Sequence, residues 1–356
     1  IHQAATDSLA STQNARALFQ KQFKHEYDKK ATADSINNAH KERIANAELH
    51  AKQSQLDYEQ SQRYGLYAGL GLLISLAIAL FAGFQRKKRD NGIIRAQKKE
   101  VESQQKKIMD SINYAEKIQS SILPSDDYIR KHLPGFSSFF KPRDVVGGDF
   151  YWFAEHGGKK FLAMADCTGH GVPGAFMSMI GNTLLKDIIV GSGIIDPARV
   201  LELMDKKIRE LLRQHDADSS EDGMELGLIR IDEENEELVF AGANQHLYVV
   251  RDEVEIVKGN MRSIGGWVRK RSRLPVFENQ HLSLNSVEAI FMSSDGIEDQ
   301  FGGGQKEKFG RKRLINLMGA RNTDAVNSVQ DAFTRWKAHE NQVDDVCLIH
   351  VTFNPA

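Results

Sequence analysis

The chain has 356 residues, with 47 lysines and arginines against 48 aspartates and glutamates and a formal charge of −1. That balance offers no electrostatic case for nucleic-acid binding, and the length allows a sizeable core plus separate segments, about two units by domain-size priors. The two cysteines, Cys167 and Cys347, are far apart in sequence and form neither a disulfide framework nor a run of metal ligands.

Residues 1–62 are polar, rich in Ala, Gln, Lys, His and Glu, and contain no Gly or Pro. Ile44, Ala45, Ala47, Leu49 and Leu56 give broken apolar periodicity, which predicts a long helix or helical hairpin acting as an exposed spacer, here taken as 1–64. The chain opens on Ile1 without a signal-peptide pattern, so the expectation is a fragment or processed product lacking an upstream sensor region.

Residues 65–84 carry no charge, and twenty residues at about 1.5 Å rise each match a bilayer core of roughly 30 Å. A buried soluble helix is the alternative, but Arg86-Lys87-Lys88-Arg89 follows at once and predicts a single-pass transmembrane helix with its C-terminal side in the cytoplasm, in an inner or cytoplasmic membrane. Gly65 and Gly69 share a helix face and would let two such helices approach, although glycine is common in membrane helices generally. Residues 85–124 read as a helical linker. Ile94, Val101, Ile108, Ala115 and Ile122 recur every seventh residue, with Ile112 and Ile118 beside them, while Gln97, Gln104 and Ser111 weaken the seam. A parallel helix pair in a homodimer and an amphipathic helix docked on the following domain both fit. Pro124 ends the pattern.

Residues 125–356 read as a globular domain. Strands are expected at 144–154 and 160–167, helices at 172–190 and 196–214, and further strands at 225–231, 237–242, 247–251, 289–295 and 346–351. The acidic loop 216–223 reads as solvated, and the stretch from Arg262 to Arg273, with Arg269, Lys270 and Arg271, reads as either a surface for an anionic phosphoprotein or a flexible basic loop. Separate strand ends offer Asp149, Asp166, Asp295 and either Asp344 or Asp345, the first two joined by a hairpin with glycine-rich turns. Brought together, such hard oxygen ligands repel one another unless Mg²⁺ or Mn²⁺ neutralises them, and two such ions activate water and polarise a phosphoryl group without a protein nucleophile. Cys167, next to Asp166, is tempting as a nucleophile, but a buried small residue is the preferred reading because no neighbour supplies a base.

From Asn113 to Thr352 the chain resembles the sporulation-phosphatase (SpoIIE-type) branch of the metal-dependent PPM serine/threonine protein phosphatases. The resemblance is carried by residues 114–124, by Pro142-Arg143-Asp144-Val145-Val146-Gly147-Gly148-Asp149-Phe150-Tyr151, and by Ala165-Asp166-Cys167-Thr168-Gly169-His170-Gly171-Val172-Pro173-Gly174-Ala175. It continues through Ala243-Asn244-Gln245, Ser294-Asp295-Gly296 and Asp344-Asp345-Val346. It implies an α/β (α+β) fold, a central β-sandwich flanked by helices, with two Mn²⁺ or Mg²⁺ ions at one edge. By the same resemblance Asp149, Asp166, Asp295 and Asp344 would be the catalytic metal ligands, Asp166 bridging, with the Cys167 carbonyl as a further ligand and Asp345 as an auxiliary acid. Arg143 would approach substrate phosphate, or else pair with Asp144, and His170 would give acid–base help or hold the glycine-rich turn.

The resemblance also implies a phosphoserine or phosphothreonine protein as substrate, an anti-sigma-factor antagonist being the type of partner expected, and a switch through the helices flanking the first acidic block. The membrane segment adds lipid as a partner, and no nucleic-acid partner is expected. The alternative is a catalytically weak signalling scaffold or receptor that binds a regulatory protein through the same domain. Gly147-Gly148-Asp149-Phe150 superficially suggests a nucleotide or diguanylate cyclase, but the later Asp-Gly and Asp-Asp pairs fit phosphatase chemistry better.

Overall fold

The structure is a computed structural model that describes residues 40–214, 220–266, 275–304, 306–319 and 324–353, with the backbone alone for 40–49. Its contacts divide the chain into two units, 1–100 and 101–356. Helix α1, His40–Ile122, begins in the first and ends in the second. No proline interrupts it, and it stops where Pro124 excludes the preceding residue from helical backbone. Its most apolar window has a mean hydropathy of 2.1 and is 0% buried, so length and composition both suit a bilayer. The expected helix or hairpin before residue 40 lies outside the described residues.

The second unit begins with α2, Asp126–His132, capped by Ser125, whose hydroxyl accepts from the Tyr128 N–H. Two large antiparallel sheets follow, with a separate two-stranded ribbon of β11 (Phe301–Gly302) and β12 (Glu307–Lys308). One has the order β1 (Phe136–Lys141), β13 (Val346–Thr352), β10 (Ala289–Ser293), β6 (Leu247–Val250), β7 (Val254–Val257). The other has the order β2 (Phe150–His156), β3 (Lys159–Cys167), β4 (Gly223–Asp232), β5 (Glu237–Ala243), β9 (Gln280–Ser283), with the short β8 (Ile264–Gly265) on β4.

Strand β3 shows why its sequence is almost continuously apolar: both of its faces are covered. Phe161, Ala163 and Ala165 face a core shared with α3 (Gly171–Leu185) and α4 (Pro197–Leu211), through Met177, Leu184, Leu201, Met204 and Ile208. Leu162 and Met164, at the alternate positions, enter the core between the sheets with Ile290, Met292, Ile349 and Val351. Outside the first sheet, Phe291 and Leu348 pack with Leu314 and Phe333 of α6 (Arg311–Met318) and α7 (Ala325–Lys337). The result is four layers, helix, sheet, sheet, helix.

Several expectations change in detail. The strand expected at 144–154 starts only at Phe150. Its first residues form a loop because the N–H groups of Arg143 and Gly148 are taken by the Asp345 carboxylate instead of a ladder. The strand expected to end in Asp295 stops at Ser293, and Asp295 instead opens α5 (Asp295–Asp299). Strands β1, β7 and β9 and helices α6 and α7 were not anticipated from the sequence.

Candidate metal centre

The β2–β3 hairpin pairs Phe150 with Ala165, so the next positions outward, Asp149 and Asp166, stand opposite each other at the sheet's end. On the other side of β3 the register sets Asp166 against Glu225 of β4. The other acids come from the opposing sheet. Ser294 links β10 to β13, donating its N–H to Cys347 O at 2.9 Å and accepting from Cys347 N at 2.9 Å, and so seats Asp295 at the start of α5. Asp344 and Asp345 form the turn into β13, with Asp344 Oδ1 accepting from Asp345 N at 2.8 Å.

Asp166, Cys167, Asp295 and Asp344 line one groove of about 550 Å³ together with Glu225, Thr168 and Gly169. Asp149 is 2% exposed and feels the charge of Asp166. Asp345 faces inward and ties the loop, accepting from Arg143 N at 2.7 Å and Gly148 N at 2.6 Å. Arg143 and His170 are not among the residues lining the groove. The pairing considered for Arg143 and Asp144 does not form: Arg143 Nη1 donates to Val343 O at 3.0 Å, and Asp144 takes His170 Nδ1 at 2.8 Å. Glu225 was overlooked as a member of this acid set, and only its strand register brings it there. Asn244, whose φ is 53°, donates its side-chain amide to Glu225.

Arg262 does not belong to an exposed basic surface. Rather than facing a partner, it is buried in ion pairs with Glu202 at 3.0 Å and Asp205 at 2.5 Å. Arg269, Lys270, Arg271 and Arg273 lie outside the described residues, as does 216–219 of the acidic loop. Cys167 and Cys347 are buried free thiols, and burial, followed by the neighbouring carboxylates, pushes both upward, which agrees with the structural reading of Cys167 and not with a nucleophile.

The packing of like charges has a measurable cost. Burial, then Asp295, Glu225 and Asp344, push Asp166 up to about 8, and burial followed by Asp166 pushes Asp149 well above the usual carboxylate range. Asp149 Oδ2 is buried without a hydrogen-bond partner. A divalent cation fits such a donor set, because it supplies the charge that these oxygens lack. Among the described residues no three such side chains close around a single point, so the set is convergent but open.

Metal-free protein therefore has a stability that depends on pH with a definite sign. Asp166 holds a proton in the folded state up to about 8 but loses it near 3.8 when unfolded, so its contribution to stability falls as pH rises through that window. Buried His350, lowered to about 4 by burial, acts in the opposite sense below its ordinary value of 6.5. Between about pH 6.5 and about pH 8 the carboxylates dominate, and Tm in chelator should fall across that interval, while saturating Mn²⁺ should remove most of the slope. Scanning calorimetry with and without chelator tests this, and a flat or rising chelator profile would contradict it.

Two packed antiparallel sheets, helices outside both, and acids converging from the ends of both sheets define a PP2C-type phosphatase fold. The solved SiaA PP2C domain of Pseudomonas aeruginosa is similar to this chain, with 32% identity, a TM-score of 0.62, and 70% of this chain and 98% of that chain covered. The PP2C phosphatase domain and regulatory fragment of SpoIIE from Bacillus subtilis aligns at 20% identity and TM-score 0.47, over 62% of this chain and 63% of that one. The RsbU and RsbW domains of a Mycobacterium tuberculosis protein align at 18% identity and TM-score 0.46, over 61% and 59%. No curated protein sequence matches the chain. Residues 156–354 match the family described as Stage II sporulation protein E (SpoIIE). The chain belongs to that family.

Proposed function

We propose that this chain is a membrane-tethered, Mn²⁺- or Mg²⁺-dependent protein serine/threonine phosphatase. The observation that carries the reading is the convergence of Asp149, Asp166, Asp295 and Asp344 from two sheets, with one buried Asp149 oxygen left without a partner. Asp149, Asp166, Asp295 and Asp344, with the Cys167 carbonyl, would hold two ions. Those ions would supply Lewis-acid polarisation of the phosphoryl group and a water of lowered pKa. The chain's own part is to hold the acids against their repulsion, to fix the loop 143–148 through Asp345, and to present the groove to a phosphoprotein. Arg209 and Arg262 line the groove but are engaged by carboxylates and carbonyls. Arg143, outside the groove lining and donating to Val343 O, would meet substrate phosphate only by leaving that carbonyl, with His170 as an auxiliary group.

The tether rests on residues 65–84 within α1 and the basic cluster at 86–89, with 1–64 outside, 85–124 as linker and 125–356 as the cytoplasmic phosphatase domain. Ile94, Val101 and Ile108 are exposed on α1, consistent with a second copy of the helix as their partner. The substrate class is a phosphoserine or phosphothreonine protein, an anti-sigma-factor antagonist being the type that the family resemblance implies. The reading is tested by Mn²⁺-dependent phosphate release from a phosphoserine-protein panel. Cation binding without release would leave only a scaffold role, and absence of cation binding would remove the site altogether.

The route of regulation runs through Gln119, near the end of α1. Its amide donates to Gly147 O at 2.7 Å and to Ser178 Oγ at 2.8 Å, joining the linker to the loop before Asp149 and to α3. Gln119→Ala removes both bonds and leaves a buried carbonyl without its donor, a cost of about 1–3 kcal/mol. If the linker positions the acids, calorimetric Mn²⁺ affinity should weaken about tenfold, the equivalent of about 1.4 kcal/mol. Unchanged affinity and turnover would show that the helix end is only packed there, not coupled.

A further inference from the structure

The groove has a second side that cation binding does not require. Met261, Arg262, Ser263, Gly265, Gly266 and Pro275 line it together with the acids. This wall is fastened from behind by α4. Asp205, 4% exposed, accepts from Gly265 N at 2.7 Å, Arg209 Nε at 2.9 Å and Arg262 Nη2 at 2.5 Å. Arg209 donates to Gly265 O at 2.9 Å and Gly266 O at 2.8 Å. Arg262 reaches across to Pro275 O at 2.6 Å and lies 4.4 Å from the Phe277 ring centroid. Glu202 pairs with Arg262 and accepts the Phe277 N–H at 3.0 Å. Both legs of the segment, 260–266 and 275–277, are thus bound to one helix by two arginines and two carboxylates.

The clamp has two consequences. Its charges cancel and are largely desolvated, so the arginines do not make the wall a phosphate-binding surface. Among its described residues the wall offers to solvent two apolar side chains, Met261, 90% exposed, and Val276, 67% exposed and adjacent to groove-lining Pro275. Scattered exposed apolar residues need no explanation. An adaptable methionine and a valine on a braced segment at the edge of an acidic groove form a different arrangement, because bracing lowers the entropy lost on docking.

We propose that this wall docks the polypeptide of the phosphoprotein, with Met261 and Val276 taking apolar side chains next to the phosphorylated residue and Asp205, Arg209 and Arg262 acting as positioning residues. The inference rests on the phosphatase reading and adds a substrate preference to it. A small phosphate ester can reach the acids without touching the wall, whereas a peptide cannot enter without passing it.

The experiment uses the full chain in detergent micelles with Mn²⁺, p-nitrophenyl phosphate, and phosphoserine peptides whose flanking residues are Leu or Val in one set and Asp or Lys in another. The parent should prefer the apolar-flanked peptides. In the double variant Met261→Asp, Val276→Asp, both positions being exposed and safe for folding, the ratio of kcat/KM for apolar-flanked peptide to that for p-nitrophenyl phosphate should fall about tenfold or more, chiefly through KM. Asp205→Asn should lower the same ratio if it folds. A parent indifferent to flanking residues, or a ratio unchanged in the double variant, overturns the docking wall and leaves the phosphatase reading intact. A parent that hydrolyses neither substrate overturns both.

Discussion

Asp166→Asn should reduce cation-dependent phosphate release by about 10³-fold or more, while raising the Tm of the metal-free protein. Asp166 is opposed by Asp149 across the hairpin and by Glu225 across β4, and it feels Asp295 and Asp344 from the other sheet. Asparagine has nearly the same volume, so the packing survives and only the charge is lost. Asparagine needs no proton taken up on folding and adds no charge beside its neighbours, so the unloaded fold is stabilised. The substitution also removes the proposed bridging ligand, and transition-state stabilisation by metal ions is worth several kcal/mol at about 1.36 kcal/mol per tenfold in rate. Turnover and calorimetry on the same preparation check both halves. A variant that keeps more than about a tenth of parental activity would sink the assignment of Asp166.

Gly296→Ala should inactivate by a different route and shift Tm in the opposite direction. Gly296 is the second residue of α5, and a Cβ there would overlap the Asp345 carbonyl oxygen and carbon, which are backbone atoms with no rotamer to change. Relief can come only by moving Asp295 away from Asp345, and Asp345 is the residue that pins the loop before Asp149. Overpacking of this kind costs about 1–3 kcal/mol, and Tm should fall by roughly 2–4 °C for each kcal/mol in a domain of this size. Displacement of two acids by even part of an ångström should cost about 10²-fold or more in turnover. A fully active variant with unchanged Tm would show that the contact relaxes without consequence. The pair of substitutions separates charge from geometry, since both should abolish the proposed phosphate release and only one should weaken the fold.

The acids and their hairpin were legible in the sequence because local signals surround them. Apolar runs with glycine-rich turns mark β2 and β3, and antiparallel register then makes Asp149 and Asp166 neighbours. The end of α1 was legible for the same local reason, Pro124 following directly. Asp295 was identified as an acid but placed at a strand end, because no residue type distinguishes the last strand position from a helix start until Ser294 is seen bonded to Cys347. Glu225 and Gln119 were not identified, since each matters through a partner distant in sequence: Asp166 through register, and Gly147 and Ser178 through packing. Arg262 looked like part of a basic surface, and its pairing with Glu202 and Asp205 depends on a helix about sixty residues earlier, beyond the reach of local pattern. Strand β1 is partly polar along its length and becomes a strand chiefly because β13 pairs with it.

That last pairing bears on how the protein is made. Phe136 of β1, at the start of the sandwich, is registered with Val351, almost the final residue described, and the same closing strand carries Asp344 and Asp345 at its entrance. During synthesis the chain must hold β1 unpaired until nearly all of the domain has left the ribosome, since loop closure over this distance precedes any contact that rewards it. A ribosome that stalls, or a protease that trims the tail, thus yields a chain with one edge of a sheet open and the loop before Asp149 untied. The acid set is complete only once the turn into β13 has been made, and a chain ended before that turn lacks Asp344 and Asp345 altogether.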